Sequence, residues 1–347
     1  MAAMSVVAVL ALLLSVAPAD DVDVDPALLA FAQVPADHEP AAITRGQHYW
    51  IGNEDRLDLF HGEIADIGGI HIGVGAEQNW LLCGWSRCEV LVLVDFDQAI
   101  VDLHHAYIAT IAATPTRQAF VDLWFDRSRK ASRAAIITRY SGREALGALK
   151  AVDVARWSIE RRFNRLMAQM KAHDLPSFLT DDAQYEHLHA LAVRGRVFAV
   201  RGDLTAKKTL QAIGAAATST QHTVRSLYLS NAEQYFSYNK QTRKNLLSLP
   251  MDDRSVVVRT HGSNALDYVE GGNSYHYGVQ TGPSFRAFVA DTHVTSSHQI
   301  LQWAPTATEP GTSKQTSLSP TEAKTAWRAT KQQKARTKTT KTKTKTP

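Results

Sequence analysis

The residues best placed to do chemistry in this chain lie between positions 70 and 97. An apolar run at 70–74 contains Gly73 and leads into Gly75, and a helical pattern at 76–85 starts directly behind it. A second apolar run at 89–94 ends in Asp95-Phe96-Asp97. Glycines at a strand-to-helix turn let a ligand approach the backbone, where the helix N-terminus offers unpaired N–H groups and a positive dipole end. An acid at the end of the next strand accepts hydrogen bonds from ribose hydroxyls. Gly73, Gly75, Asp95 and Asp97 thus describe a site for an adenosine-type ligand. A tight structural turn uses the same glycines, and the third glycine of the dinucleotide fingerprint is replaced by Gln78. Glu77 and Asn79 also stand in this turn, as candidate cofactor contacts. A carboxylate at a helix N-terminus competes with phosphate, which favours a ligand lacking phosphate, such as S-adenosylmethionine.

A second group is Ser230-Asn231-Ala232-Glu233-Gln234-Tyr235, behind an apolar run at 226–229. A strand ending there places the group at the same sheet edge. Ser230 is then a cofactor contact, and Asn231, Glu233 and Tyr235 are the candidates for catalysis, able to hydrogen-bond a substrate or orient a reacting atom. The same residues also suit a helix cap with an acid in its first turn. Asp203, behind the β-prone run at 196–200, has two readings as well: a ligand contact or the cap of the next helix.

These groups need a scaffold that brings strand ends together. Strand signals at 70–74, 89–94, 196–200, 226–229 and 255–259 alternate with helical periodicity at 76–85, 98–113, 116–125, 205–217 and 232–247. Such alternation predicts an α/β three-layer sandwich with a mainly parallel, Rossmann-like sheet. Residues 275–280 and 285–290 flank Gly282-Pro283 and read as a closing antiparallel hairpin. Residues 143–191 carry an apolar stripe at helical spacing with no β-prone interruption. They predict a helical insertion over about 113–191.

The ends differ from the body. Residues 6–17 are an apolar run followed by Ala17-Pro18-Ala19, so 1–19 read as an export signal, although no Lys or Arg precedes the run. A mis-assigned start codon and a buried N-terminal helix are the alternatives. Residues 20–45 form an acidic lead-in, the folded domain is expected over 46–303, and 304–347 have the composition of a disordered basic tail. Nine Lys/Arg stand against one acid in residues 321–347; with the chain at +4 overall, residues 1–320 are net −4. The body is therefore not a basic nucleic-acid surface, while the Lys/Thr tail suits either solubility or contact with a polyanion. No run is long enough to span a bilayer. The two cysteines, Cys83 and Cys88, are either buried thiols or a disulfide across a helix-to-strand turn. His104 and His105 point about 100° apart on a helix, and His261, His276, His293 and His298 lack a ligand spacing, so no metal site is expected. Phosphate-loop and nucleophile-elbow motifs are absent from the sequence.

The segments GVGAEQNW (73–80), VDFD (94–97), LHHAY (103–107), SNAEQY (230–235) and LPMDDRSVVVRT (249–260) resemble an uncharacterised bacterial family sharing GVG-x-x-QN and SN-x-EQY segments. That family looks like a divergent branch of the S-adenosylmethionine-dependent methyltransferase fold, over roughly residues 45–300. The resemblance implies Gly73 and Gly75 at the cofactor loop, Asp95 or Asp97 at the ribose, Asp203 on the adenine side and Ser230-Asn231 where substrate chemistry sits. Two functions follow: methyl transfer to an unknown acceptor, or an exported, non-catalytic ligand-binding protein whose basic tail contacts a polyanion.

Overall fold

The computed structural model describes residues 24–262, 275–305 and 311–343. A 3-10 turn (Pro26–Leu28) runs into α1 (Leu29–Ala32), followed by α2 (Asp58–Ile64), β1 (Ile70–Val74), α3 (Gln78–Ser86), β2 (Val90–Asp95) and α4 (Gln98–Ala113). Four helices come next: α5 (Arg117–Phe125), α6 (Lys130–Arg139), α7 (Gly142–Ala172) and α8 (Asp182–Val193). The chain then forms β3 (Val197–Arg201), α9 (Thr209–Ser219), β4 (Val224–Tyr228), α10 (Lys240–Leu247), β5 (Val256–Gly262) and β6 (Tyr275–Thr281). It closes with α11 (Gly282–Ala290), α12 (Ser297–Trp303), β7 (Thr312–Gln315) and α13 (Pro320–Lys343). Among the described residues no helix is long and apolar enough to cross a membrane.

The seven strands form one sheet in the order β3-β2-β1-β4-β5-β6-β7. Strands β1 to β5 are mutually parallel, β6 is antiparallel to β5, and β7 is parallel to β6. The sequence of β2, VLVLVD, shows why it is central: every residue is buried. Leu91 and Leu93 face the core under α2–α8, while Val90, Val92 and Val94 face the core under α1 and α9–α13. Two apolar cores on opposite faces make this a three-layer α/β sandwich, and they demand apolar residues at every strand position rather than alternate ones.

Several expectations need correction. Residues 285–290 are not a strand: Phe285, Phe288 and Val289 are buried at i, i+3, i+4 on α11, and Pro283 sits in its first turn, where proline starts a helix readily. The antiparallel partner of β6 is β5, with His261 opposite His276. The 232–247 helix is broken into a 3-10 turn (Ala232–Tyr235) and α10, because Phe236 turns extended.

The tail is not disordered over its described part. Thr312, Ser313 and Gln315 are buried in β7, and Trp327 of α13 joins the second core, where Ala323 is also buried. Ala, Lys, Arg and Gln are good helix formers, which composition-based disorder ignores. The lead-in is also ordered from residue 24: Leu28 and Phe31 are buried, and Phe31 stacks on Phe198 at 5.4 Å. The export-signal reading of 1–19 lies outside the described residues. Of the two cysteine readings the bonded one holds: Cys83 and Cys88 form a disulfide.

Candidate functional site

The sheet order reverses between β1 and β4, which both leave the sheet centre but lead to opposite flanks. In open α/β sheets a crevice forms beyond the carboxyl ends of the strands at such a point. Here it is a cavity of about 500 Å³. Val74, Gly75 and Ala76 line it from β1, Asp95 and Asp97 from β2, Asp203 from β3, and Ser230 and Asn231 from β4. A segment before β1, running from Arg45 to Asn53, supplies another wall, and Tyr235 and Tyr275 complete it.

Of the residues expected at the site, Gly75, Asp95, Asp97, Asp203, Ser230, Asn231 and Tyr235 do meet at this cavity. Gly75 has φ +97°, a conformation that glycine adopts without strain. Its carbonyl accepts from His104 Nε2 at 2.7 Å. Burial pushes His104 down to about 4, so the ring is neutral and the bond fixes its tautomer.

The three acids are held differently. Asp95 accepts the Asp97 N–H at 2.8 Å. Burial pushes its carboxyl up to about 7, and the Asp97 charge adds to this, against backbone N–H groups of Asp97, Gly75 and Phe96 that pull it down. Asp97 caps α4 through the Ala99 N–H at 3.0 Å and meets His48 Nδ1 at 2.7 Å. Asp203 uses one oxygen on the N–H and hydroxyl of Thr205, both at 2.7 Å, so it shapes its own turn while facing the cavity.

At the far wall Ser230 has φ +49° and donates to Glu54 Oε1 at 2.7 Å. Asn231 Nδ2 donates to the Tyr275 hydroxyl at 3.3 Å, which Asn53 Nδ2 also reaches at 2.5 Å. Tyr235 stands at the rim, 62% exposed.

Four expected residues do not reach the cavity. Gly73 lies within β1, and a Cβ there would strike Asn79 Oδ1 and His71 Nε2. Asn79 is buried and spends its amide on the carbonyls of Val74 and Ala76, both at 3.2 Å. Glu77 turns inward, where it pairs with Arg162 Nε of α7 at 2.5 Å and accepts the Gly52 N–H at 2.9 Å. Glu233 is held by Arg259 Nε at 2.7 Å and by the Tyr238 hydroxyl at 2.5 Å. For Glu77, Asn79 and Glu233 the first turn of a helix or 3-10 segment rotates the side chain away from the strand edge and into the protein.

Sequence reasoning missed the covering segment 45–53, the buried acceptor Glu54, and the use of Gln78. The Gln78 amide spans from Gly75 to Gly52, both cavity-wall residues. It is 2% exposed, and its Oε1 has no hydrogen-bond partner among the described residues. A buried amide oxygen left in this state calls for a donor. The only sequence signal was the absence of the third glycine at position 78.

No curated protein matches the chain. A family model described as "Domain of unknown function (DUF7790)" matches residues 49–321, which takes in every strand of the sheet, β7 included. The chain therefore belongs to the DUF7790 family.

Proposed function

We propose that the crevice binds S-adenosylmethionine and presents its methyl group to an acceptor entering past Tyr235. The observation that carries this is the make-up of the wall: three acids, Asp95, Asp97 and Asp203, face the cavity, with Arg45 the one Lys or Arg among the described lining residues. An acid-lined crevice repels pyrophosphate and suits a ligand with hydroxyls and positive charge. Glu77 takes no part in this, since Arg162 pairs with it in the interior. The residues fit the group. Gly75 allows close backbone approach, the acids suit ribose hydroxyls, and Gln78 Oε1 is an acceptor awaiting a donor such as an ammonium. When bound, S-adenosylmethionine supplies an electrophilic methyl on a sulfonium. Asn231 and Tyr235 orient the acceptor at the rim, and Glu233 is removed from that role by its pairing with Arg259.

A second reading is an exported ligand-binding protein without catalysis, its basic tail resting on a polyanion. The Cys83–Cys88 disulfide favours it, because such bonds persist in oxidising compartments. Calorimetric titration of the full chain with S-adenosylmethionine, S-adenosylhomocysteine and NAD tests both. Saturable binding of the first two, lost in Gly75→Trp, with none of NAD, supports the site; turnover to S-adenosylhomocysteine with a cell extract as acceptor source supports transfer. No heat up to about 1 mM retires the proposal.

A further inference from the structure

At the opposite edge of the sheet from the crevice, the start of β2 carries a second cluster. The sulfurs of Cys83 and Cys88 and a ring nitrogen of His187 all lie within 4.8 Å of one another. Both cysteines are fully buried, whereas His187, on α8, is half-buried and opens the cluster toward solvent. Its Nε2 is itself buried and has no hydrogen-bond partner among the described residues.

A second polar atom near this turn is also unsatisfied. Gln184 stands three residues before His187, on the same side of α8. It is 7% exposed, and its Oε1 has no partner among the described residues and lies against Gly84, next to Cys83. A disulfide alone accounts for neither orphan. Two sulfurs and an imidazole nitrogen are three donors of a tetrahedral thiolate site, which leaves one position open for an oxygen ligand.

We propose that in its dithiol form the chain holds one Zn²⁺ through Cys83, Cys88 and His187, and that the disulfide is the closed state of this site. A dithiol reductant supplies two electrons and two protons; the Cys83–Cys88 bond breaks, two thiols form, and the reductant leaves as its own disulfide. Zn²⁺ then forms two Zn–S bonds, releasing both thiol protons to solvent, while His187 adds a nitrogen lone pair and Gln184 Oε1 or water takes the fourth position. The metal and the disulfide are mutually exclusive, so the cluster reads the redox state of its surroundings.

The test uses the full chain, reduced with a dithiol, desalted without air and titrated with Co²⁺ as a spectroscopic probe and then with Zn²⁺. The expected result is one Co²⁺ per reduced chain with thiolate-to-cobalt absorption, displaced by Zn²⁺, and none in the oxidised chain. His187→Ala should weaken binding at least about 10-fold while keeping two titratable thiols, and Gln184→Ala should weaken it less. The oxidised wild-type chain is a metal-free control that needs no substitution. Three results overturn the proposal: no more metal on the reduced chain than on the oxidised one, His187→Ala binding as tightly as wild type, or loss of near-ultraviolet circular dichroism on reduction. The last would make the disulfide a structural brace only.

Discussion

Ser230 donates its hydroxyl hydrogen to Glu54 Oε1 at 2.7 Å from a backbone held at φ +49°. Tyr228 donates to the same oxygen at 2.7 Å, and Glu54 is fully buried. The left-handed backbone costs a non-glycine residue about 1–2 kcal/mol, and a hydrogen bond to a charged acceptor contributes about 1.5–3 kcal/mol. Ser230→Ala loses the bond and keeps the strain; Ser230→Gly loses the bond and relieves it. In urea unfolding, the alanine variant should be about 2 kcal/mol less stable than wild type, and the glycine variant about 1 kcal/mol less. Equal losses would show that the serine bears no backbone strain.

The buried pair of Glu77 and Arg162 makes a sharper case, since both side chains have no solvent exposure. Arg162→Met should cost about 3–5 kcal/mol, because it strands a carboxylate in the core. Adding Glu77→Gln should recover most of that loss. A double-mutant cycle by guanidinium unfolding measures the coupling, and strict additivity of the two losses would contradict the pairing.

Asp95 gives a pH signature. Its carboxyl is raised from 3.8 to about 7 in the folded chain, so between those values the folded state holds a proton that the unfolded state has released. The associated stability is fully present below pH 3.8 and is lost as pH rises through 7. His104 acts in the other direction: lowered from 6.5 to about 4, it costs stability as pH falls between those values. Comparing wild type with Asp95→Asn isolates the acid. The variant should gain on wild type by about 2–4 kcal/mol between pH 4 and pH 8, followed by thermal unfolding across that range. A constant difference would mean that Asp95 titrates normally.

The C-terminal segment should prove structural. A chain ending at residue 305 loses β7 and α13, uncovers the edge of β6 and exposes the apolar surface under Trp327. An unpaired edge invites pairing with another chain. The expected outcome is a melting temperature lower by about 5 °C or more, with concentration-dependent association in light scattering. An unchanged, monomeric product would show that β7 adds nothing to the sheet.

The parts that were legible in the sequence are those fixed by burial on both faces. β2 announces itself by an unbroken apolar run and β1 by a shorter one interrupted by His71 and Gly73, and the residues at or just beyond their ends, Gly75, Asp95 and Asp97, must sit at the carboxyl edge of the sheet. Which way a side chain turns one residue further on was not legible. Glu77 and Glu233 follow strand ends by three and five residues, against two for Ser230, yet Arg162 and Arg259, far away in sequence, draw them inward. The wall formed by residues 45–53 has no periodicity to read; its Gly52 is placed by a hydrogen bond to Glu77. β7, with the sequence TSKQ, is a polar edge strand and resembles its low-complexity neighbours.

The guanidinium of Arg162 has a consequence for how this architecture can be cut down. It belongs to α7, yet it bonds the Glu77 carboxylate behind the glycine turn and the Glu54 carbonyl, at 3.2 Å, in the covering segment. The helices between α4 and β3 therefore act as a keystone rather than an ornament. A shortened relative that dispensed with them would need a new cation, or an uncharged residue in place of Glu77, before its crevice could close.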